Sequence, residues 1–164
     1  GNKMKKLTTL AETVGQLLIE RKQTLAVSES SSGGLISAAL LSISGASTYF
    51  MGGGVIYTHR ARQILLEIDF EDYPGVRSSS EPYALLAANT VRERLGTYWG
   101  LSETDDAGPT GNRYGDVAGH SCIAVSGPVE KGITLETGLS DREENMWVFA
   151  EKSLKTLEQA ILEA

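Results

Sequence analysis

Helical and strand-like segments alternate along this chain, and this alternation limits the possible fold more than any other feature of the sequence. Leu7, Leu10, Val14 and Leu18 recur at the spacing of one helix face, and the apolar stretch at 24–27 is short enough for a strand. Such alternation favours an α/β fold in which helices flank a mixed β-sheet in layers. The 164 residues show no internal repeat and no shift in composition, so we expect a single domain.

The remaining elements follow from the same periodicities and from the turn residues between them. Predicted helices cover residues 7–22, 35–43, 62–66, 81–95 and 141–162, and predicted strands cover 24–27, 50–57, 98–104, 120–125 and 133–139. Thr9 and Glu12 are expected to form a capping box in the first helix, and Ser80 is expected to cap the helix that starts at Glu81. Residues 69–80 and 105–119 are predicted loops.

Charge and cysteine content exclude several functional classes. Fifteen Lys and Arg against 21 Asp and Glu give a net charge of −6, so we expect no binding to nucleic acid or to an anionic membrane surface. The single cysteine, Cys122, excludes an internal disulfide and a Cys-based zinc site. His59 and His120 lack the spacing of helical zinc ligands, so no metal site is expected.

Location is inferred from the same composition. A lone cysteine suits a reducing compartment, and no apolar run approaches the roughly 20 residues that a transmembrane helix needs. We therefore expect a cytoplasmic protein. Residues 1–3, which precede Met4, are expected to be a remnant of cloning.

The first candidate functional segment is the turn at 28–34, which contains Ser30 and lies between a predicted strand and a predicted helix. Such a turn points backbone N–H groups at a small volume, and the helix N-terminus adds about half a positive charge. These features suit phosphate binding, or an oxyanion hole beside a nucleophilic hydroxyl. The alternative, which the pattern alone favours, is a tight connection whose serines cap the helix. No P-loop, dinucleotide-binding or G-x-S-x-G signature is present.

Two further glycine-rich segments could line a site. Gly52–Gly54 precede Tyr57 in a predicted strand, where glycines mark a bulge or a close backbone approach. Tyr57 either offers its hydroxyl to a ligand or to Ser30, or packs at the end of the sheet. The loop at 107–116 would let a ligand approach the backbone, unless it is only a surface connection. Arg142 could pair with a phosphate or with neighbouring acids.

Taken in order, these segments resemble the C-terminal domain of the competence/damage-inducible CinA family. The family motif Ala/Ser-Glu-Ser-Cys/Ser-Thr/Ser-Gly-Gly is similar to residues 28–34, and its Gly-x-Val-x-Tyr is similar to 53–57. Further stretches similar to family motifs lie at 45–50, 75–81, 107–111 and 140–142. The resemblance covers nearly the whole chain and implies the layered α/β fold already expected.

The resemblance also implies an activity, since the family includes the nicotinamide-nucleotide amidase that converts nicotinamide mononucleotide to nicotinate mononucleotide and ammonia. Ser30 would be the nucleophile, Tyr57 would assist proton transfer, and the backbone N–H groups of Ser32, Gly33 and Gly34 would hold the oxyanion. The other substrate-binding residues that it implies are Thr104, Ala107, Gly108, Pro109 and Arg142, the last contacting the phosphate. It implies no cofactor, a small-molecule nucleotide as partner, and a homo-oligomer, dimeric or larger.

Three segments differ from the family pattern. Arg62 stands where active members carry the lysine of the serine-activating group; it could lower the pKa of the serine or bind phosphate, but a guanidinium stays protonated and cannot act as a base. Asp105 and Asp106 replace small apolar residues, and Asp116 replaces a lysine. These differences define a second hypothesis, a catalytically silent paralogue that binds a nucleotide or a protein partner.

Overall fold

A five-stranded mixed sheet forms the centre of the protein, whose computed structural model describes residues 2–164. The strands are β1 (Leu25–Glu29), β2 (Phe50–Val55), β3 (Trp99–Asp106), β4 (His120–Ser126) and β5 (Lys131–Glu136). They lie in the order β2-β1-β3-β4-β5. β1 runs parallel to β2 and β3, whereas β4 runs antiparallel to both of its neighbours. The predicted α/β fold with a mixed sheet is confirmed.

Helices cover both faces of this sheet. The helices are α1 (Asn2–Arg21), α2 (Leu35–Leu41), α3 (His59–Ala61), α4 (Glu81–Leu95) and α5 (Arg142–Glu163), with a π-helical turn at Arg62–Leu66 and 3₁₀ turns at Ala46–Thr48 and Phe70–Asp72. α1, α2 and α5 pack together on one face, and α4 packs on the other across β1, β3 and β4. No helix among residues 2–164 is long and apolar enough to cross a membrane.

Burial along the strands follows from this three-layer arrangement. Every residue of β1 and β4 is buried, because both faces of these central strands are covered by helices. The edge strands β2 and β5 instead alternate between half-buried and exposed residues. The larger core lies under α1, α2 and α5, around the fully buried Trp99, Tyr49 and Phe149.

Local differences from the sequence prediction have identifiable causes. The predicted capping box is wrong, because α1 begins at Asn2 and Thr9 lies inside it, donating its hydroxyl to the carbonyl of Lys5. The Ser80 cap is confirmed, since its Oγ accepts the N–H of Tyr83. β3 extends two residues beyond its predicted end, so Asp105 and Asp106 belong to a strand that pairs with β4 rather than to a loop.

Two glycines in the strands mark close approaches to a neighbouring backbone segment. A Cβ at Gly53 in β2 would lie 2.6 Å from the carbonyl oxygen of Val27 in β1, as predicted for glycines within a strand. A Cβ at Gly100 in β3 would lie 2.2 Å from the carbonyl oxygen of Ala88 in α4. The packing of α4 on the sheet therefore depends on the missing side chain at position 100.

We predict that Gly100→Ala lowers the free energy of unfolding by about 1–3 kcal/mol, because the methyl group would force α4 away from β3. Urea unfolding followed by circular dichroism measures the effect. Gly132→Ala is the matched control, since its Cβ would meet nothing closer than a Glu81 side-chain oxygen at 3.5 Å. Equal losses in the two variants would contradict the prediction.

Candidate active site

A pocket of about 580 Å³ opens where β1, β2 and β3 end. These three parallel strands present their carboxyl ends at one edge of the sheet, which is where α/β sheets usually bind ligands. Predicted site residues that line the pocket are Ser30, Tyr57, Arg62, Ala107, Gly108 and Arg142. Predicted site residues outside its lining are Ser32, Gly33, Gly34, Thr104 and Pro109.

The turn after β1 is held inward by two buried carboxylates. The backbone N–H groups of Ser30 and Ser32 both donate to Glu103 Oε1, and Ser32 Oγ contacts Glu29 and Glu103 at 2.7 and 2.5 Å. The N–H of Gly34 donates to Glu29, and that of Gly33 donates to the carbonyl of Ser30. These N–H groups are therefore occupied, and the predicted oxyanion hole at Ser32–Gly34 does not fit this structure.

Glu29 has a role that the sequence interpretation missed. Its Oε1 accepts the N–H groups of Gly34 and Ile36, and its Oε2 accepts both the N–H and the hydroxyl of Ser37. The carboxylate thus satisfies the free donors at the start of α2 from within β1. An acid at the end of a mostly apolar strand, a few residues before a helix, was the available signal.

Ser30 itself remains free for chemistry. Its side chain is half-buried at the pocket wall, and within residues 2–164 its hydroxyl has no hydrogen-bond partner. Tyr57 lines the same pocket, but its hydroxyl accepts a hydrogen bond from Arg142 Nη2. Arg142 Nη1 donates to the carbonyl of Gly108 at 2.6 Å. Arg142 therefore ties the end of β2 to the glycine-rich loop.

Arg62 is buried against aromatic rings. Its guanidinium carbon lies 3.9 Å from the ring centre of Phe70 and 5.1 Å from that of Tyr83, and the residue is 7% exposed. Nη1 donates to Ser78 Oγ at 3.0 Å, and Nη2 donates to His59 Nδ1. The pocket thus contains a buried cation. From the sequence, Arg62 could be identified only as a replacement of the family lysine.

Asp105 and Asp106 add negative charge to the same pocket. Asp105 Oδ1 accepts the N–H of Ser31 at 3.2 Å, and its buried Oδ2 has no partner among residues 2–164. Burial raises the pKa of Asp105 to about 7, against the lowering effect of the hydrogen bonds from Ser31 and of the charge of Arg142. This carboxyl group can therefore gain or lose a proton near neutral pH.

The glycine-rich loop is fixed by side chains that the sequence interpretation did not assign. Arg77 donates two hydrogen bonds to Asp116, and Asn112 donates a third. Although burial raises the pKa of Asp116, these bonds hold it below its usual value. The fully buried Asn145 of α5 donates to the carbonyl of Ala107. The charge of Asp116, which differs from the family pattern, is thus cancelled by Arg77.

The arrangement defines an α/β protein with a serine-bearing turn at the mouth of a polar pocket. The sequence profile of the CinA C-terminal domain matches residues 7–161, and the chain belongs to this family. Among curated relatives, the CinA-like protein of Trichodesmium erythraeum is 36% identical over 140 residues, covering 85% of this chain and 33% of the relative. That of Acaryochloris marina is 40% identical over 120 residues, covering 73% and 29%. The chain spans about a third of the length of these relatives.

Solved structures of the superfamily share the fold. A CinA superfamily protein from Klebsiella pneumoniae superposes with a TM-score of 0.89 at 20% identity, covering 96% of this chain and 99% of that one. A competence/damage-inducible protein from Agrobacterium tumefaciens superposes with a TM-score of 0.87 at 24% identity, covering 94% and 95%. Within residues 2–164, no cluster of His, Cys, Asp and Glu side chains could hold a metal ion.

We predict that Asp105→Asn stabilises the protein more at pH 8 than at pH 5. Between its unfolded pKa of 3.8 and its folded pKa of about 7, the folded state holds a proton that the unfolded state has lost. Wild-type stability therefore falls as the pH rises through this window, and the variant escapes a loss on the order of 1–3 kcal/mol. Urea unfolding at pH 5, 6, 7 and 8 measures the difference. Asp72→Asn, at an exposed acid, should show no comparable pH dependence.

Proposed function

We propose that this chain hydrolyses the carboxamide of nicotinamide mononucleotide, giving nicotinate mononucleotide and ammonia, with Ser30 as the nucleophile. The observation that carries the proposal is the free hydroxyl of Ser30 in the wall of a polar pocket shared with Tyr57 and Arg142. A volume of about 580 Å³ suits a ligand of mononucleotide size. Membership of the CinA family agrees with this activity.

The charges of the pocket also agree with this substrate. Nicotinamide mononucleotide carries a cationic pyridinium ring and an anionic phosphate. The pocket contains groups of both signs of charge: the carboxyl groups of Asp105 and Asp106, and the guanidinium groups of Arg62 and Arg142, which remain cationic. A ligand carrying only one sign of charge would leave half of these groups without a partner.

The reaction can be written with groups of this chain. As Ser30 Oγ bonds to the carboxamide carbon, its proton passes to Asp105, which contacts the peptide N–H that follows Ser30. The proton then moves to the nitrogen as the C–N bond breaks and ammonia leaves. Water attacks the resulting ester and releases nicotinate mononucleotide, which frees Ser30.

Two other residues assist this sequence of steps. Tyr57 accepts a hydrogen bond from Arg142, so its own O–H is free to hydrogen-bond the leaving nitrogen, which takes its proton from Asp105. Arg142 uses one N–H on Tyr57 and one on Gly108, and its remaining N–H groups can hold the oxyanion in place of the occupied turn.

We expect purified protein to release ammonia from nicotinamide mononucleotide. Ser30→Ala should lower this rate by about a thousandfold or more, because no second hydroxyl replaces the nucleophile. A coupled ammonia assay at micromolar enzyme measures the rate. Ser42→Ala is the matched control, since Ser42 is exposed and lies outside the pocket. Equal rates in wild type and Ser30→Ala would contradict the proposal.

A second function is a silent nucleotide-binding paralogue, favoured by the buried guanidinium at the position of the family lysine. If this second function is correct, the wild-type protein releases no ammonia. Arg62→Lys should then gain turnover, because an amine can lose its proton and a guanidinium cannot. Nucleotides would still raise the melting temperature of the wild-type protein. Thermal melts without any nucleotide-dependent shift would contradict this second function.

A further inference from the structure

The geometry points to an anion-binding subsite at Arg62, held by His59 and Ser78, that takes the phosphate monoester of the ligand in the same pocket. The identity of that ligand rests on the proposed function, whereas the subsite rests on contacts around Arg62. The subsite gives Arg62 a binding role in place of the serine-activating role of the family lysine.

The charge of Arg62 is buried and lacks a counter-ion. Within residues 2–164, no carboxylate forms an ion pair with this guanidinium, and its two hydrogen-bond partners are the Ser78 hydroxyl and the His59 ring nitrogen. Arginine is almost never buried without a partner, because an uncompensated charge in the protein interior is costly. A ligand that brings a negative charge removes this cost.

The guanidinium also keeps donors available. It has five N–H groups, of which one is given to Ser78 and one to His59, and its buried Nε has no partner. One N–H therefore remains on each terminal nitrogen. A guanidinium can bind two oxygens of one phosphate through N–H groups on different nitrogens.

The surroundings fix Arg62 in this position before any ligand binds. The guanidinium lies on the Phe70 ring, and Arg62 begins the π-helical turn, a helix irregularity frequent at functional sites. Because arginine can only donate, His59 Nδ1 must accept, which leaves the ring proton of His59 on Nε2. A preorganised donor loses little entropy on binding.

The nearby arginines are committed to other contacts. Arg77 is paired with Asp116, and Arg142 holds Tyr57 and the carbonyl of Gly108. Arg113 lines the pocket and donates to the hydroxyl of Tyr114. The hydrogen bond from Arg113, with further contributions from Ser78 and the charge of Arg62, lowers the pKa of Tyr114. Three guanidinium groups, those of Arg62, Arg113 and Arg142, line the pocket, although the net charge of the chain is −6.

The test compares ligands that differ only in the phosphate, by calorimetric titration. Wild type should bind ribose 5-phosphate and should prefer nicotinamide mononucleotide to nicotinamide riboside. Arg62→Gln should lower that preference by about tenfold or more, because it removes a charged donor. Arg60 is exposed and lies outside the pocket lining, so Arg60→Gln should keep the wild-type preference for the phosphorylated ligand. An Arg62→Gln protein with the wild-type preference, or a wild type that binds no phosphate monoester, would overturn the subsite.

A second variant keeps the test decisive if Arg62→Gln does not fold. Ser78→Ala removes the hydroxyl that orients the guanidinium and should weaken binding of ribose 5-phosphate several-fold while the protein stays folded, which circular dichroism checks. Unchanged affinity in that variant would overturn the subsite. Ammonia release reports separately on the amidase: phosphate-dependent binding without turnover contradicts only the amidase, and turnover with an unchanged phosphate preference contradicts only the subsite.

Discussion

The pocket depends on the two buried glutamates that hold the turn after β1. Glu29 and Glu103 accept the N–H groups of residues 30, 32, 34, 36 and 37, so a segment with many exposed donors is fastened to the sheet. Buried carboxylates are costly unless donors surround them, and buried N–H groups are costly unless acceptors do. The N–H groups of the turn and the carboxylates satisfy one another, except for Glu103 Oε2, which has no partner among residues 2–164. The result leaves the Ser30 side chain facing the pocket.

Much of the fold was accessible from the sequence because its signals are local. The helix at 81–95 was predicted with its boundaries and its Ser80 cap, since periodicity and capping act within a few residues. The segments around Ser30, Tyr57 and Gly108 were also predicted to share a site, and the structure brings them to one pocket. Parallel strands with glycine-rich ends place such segments together whatever the details of the loops.

The rest of the site depends on contacts between distant residues. Glu103 is 71 positions from Ser32, and no local pattern indicates that it occupies the N–H groups predicted for an oxyanion. The burial of Arg62 depends on Phe70 and Tyr83, which belong to separate elements. Asp105 was expected in a loop, but its strand position surrounds it with protein and changes its proton affinity. Charge on a sequence is therefore a poor guide to charge in a pocket.

The position of Arg142 has a consequence for assembly of the site. Ser30 and Tyr57 come from the first third of the chain, whereas Arg142 is the first residue of the last helix and bonds to Tyr57 and to the glycine-rich loop. α5 also packs on α1 and supplies Asn145 to the carbonyl of Ala107. The pocket wall is thus completed only when α5 has packed against the rest of the fold. A chain in which α5 has not packed holds Ser30 without the arginine that positions Tyr57 and the glycine-rich loop, so the complete pocket exists only in the full tertiary structure.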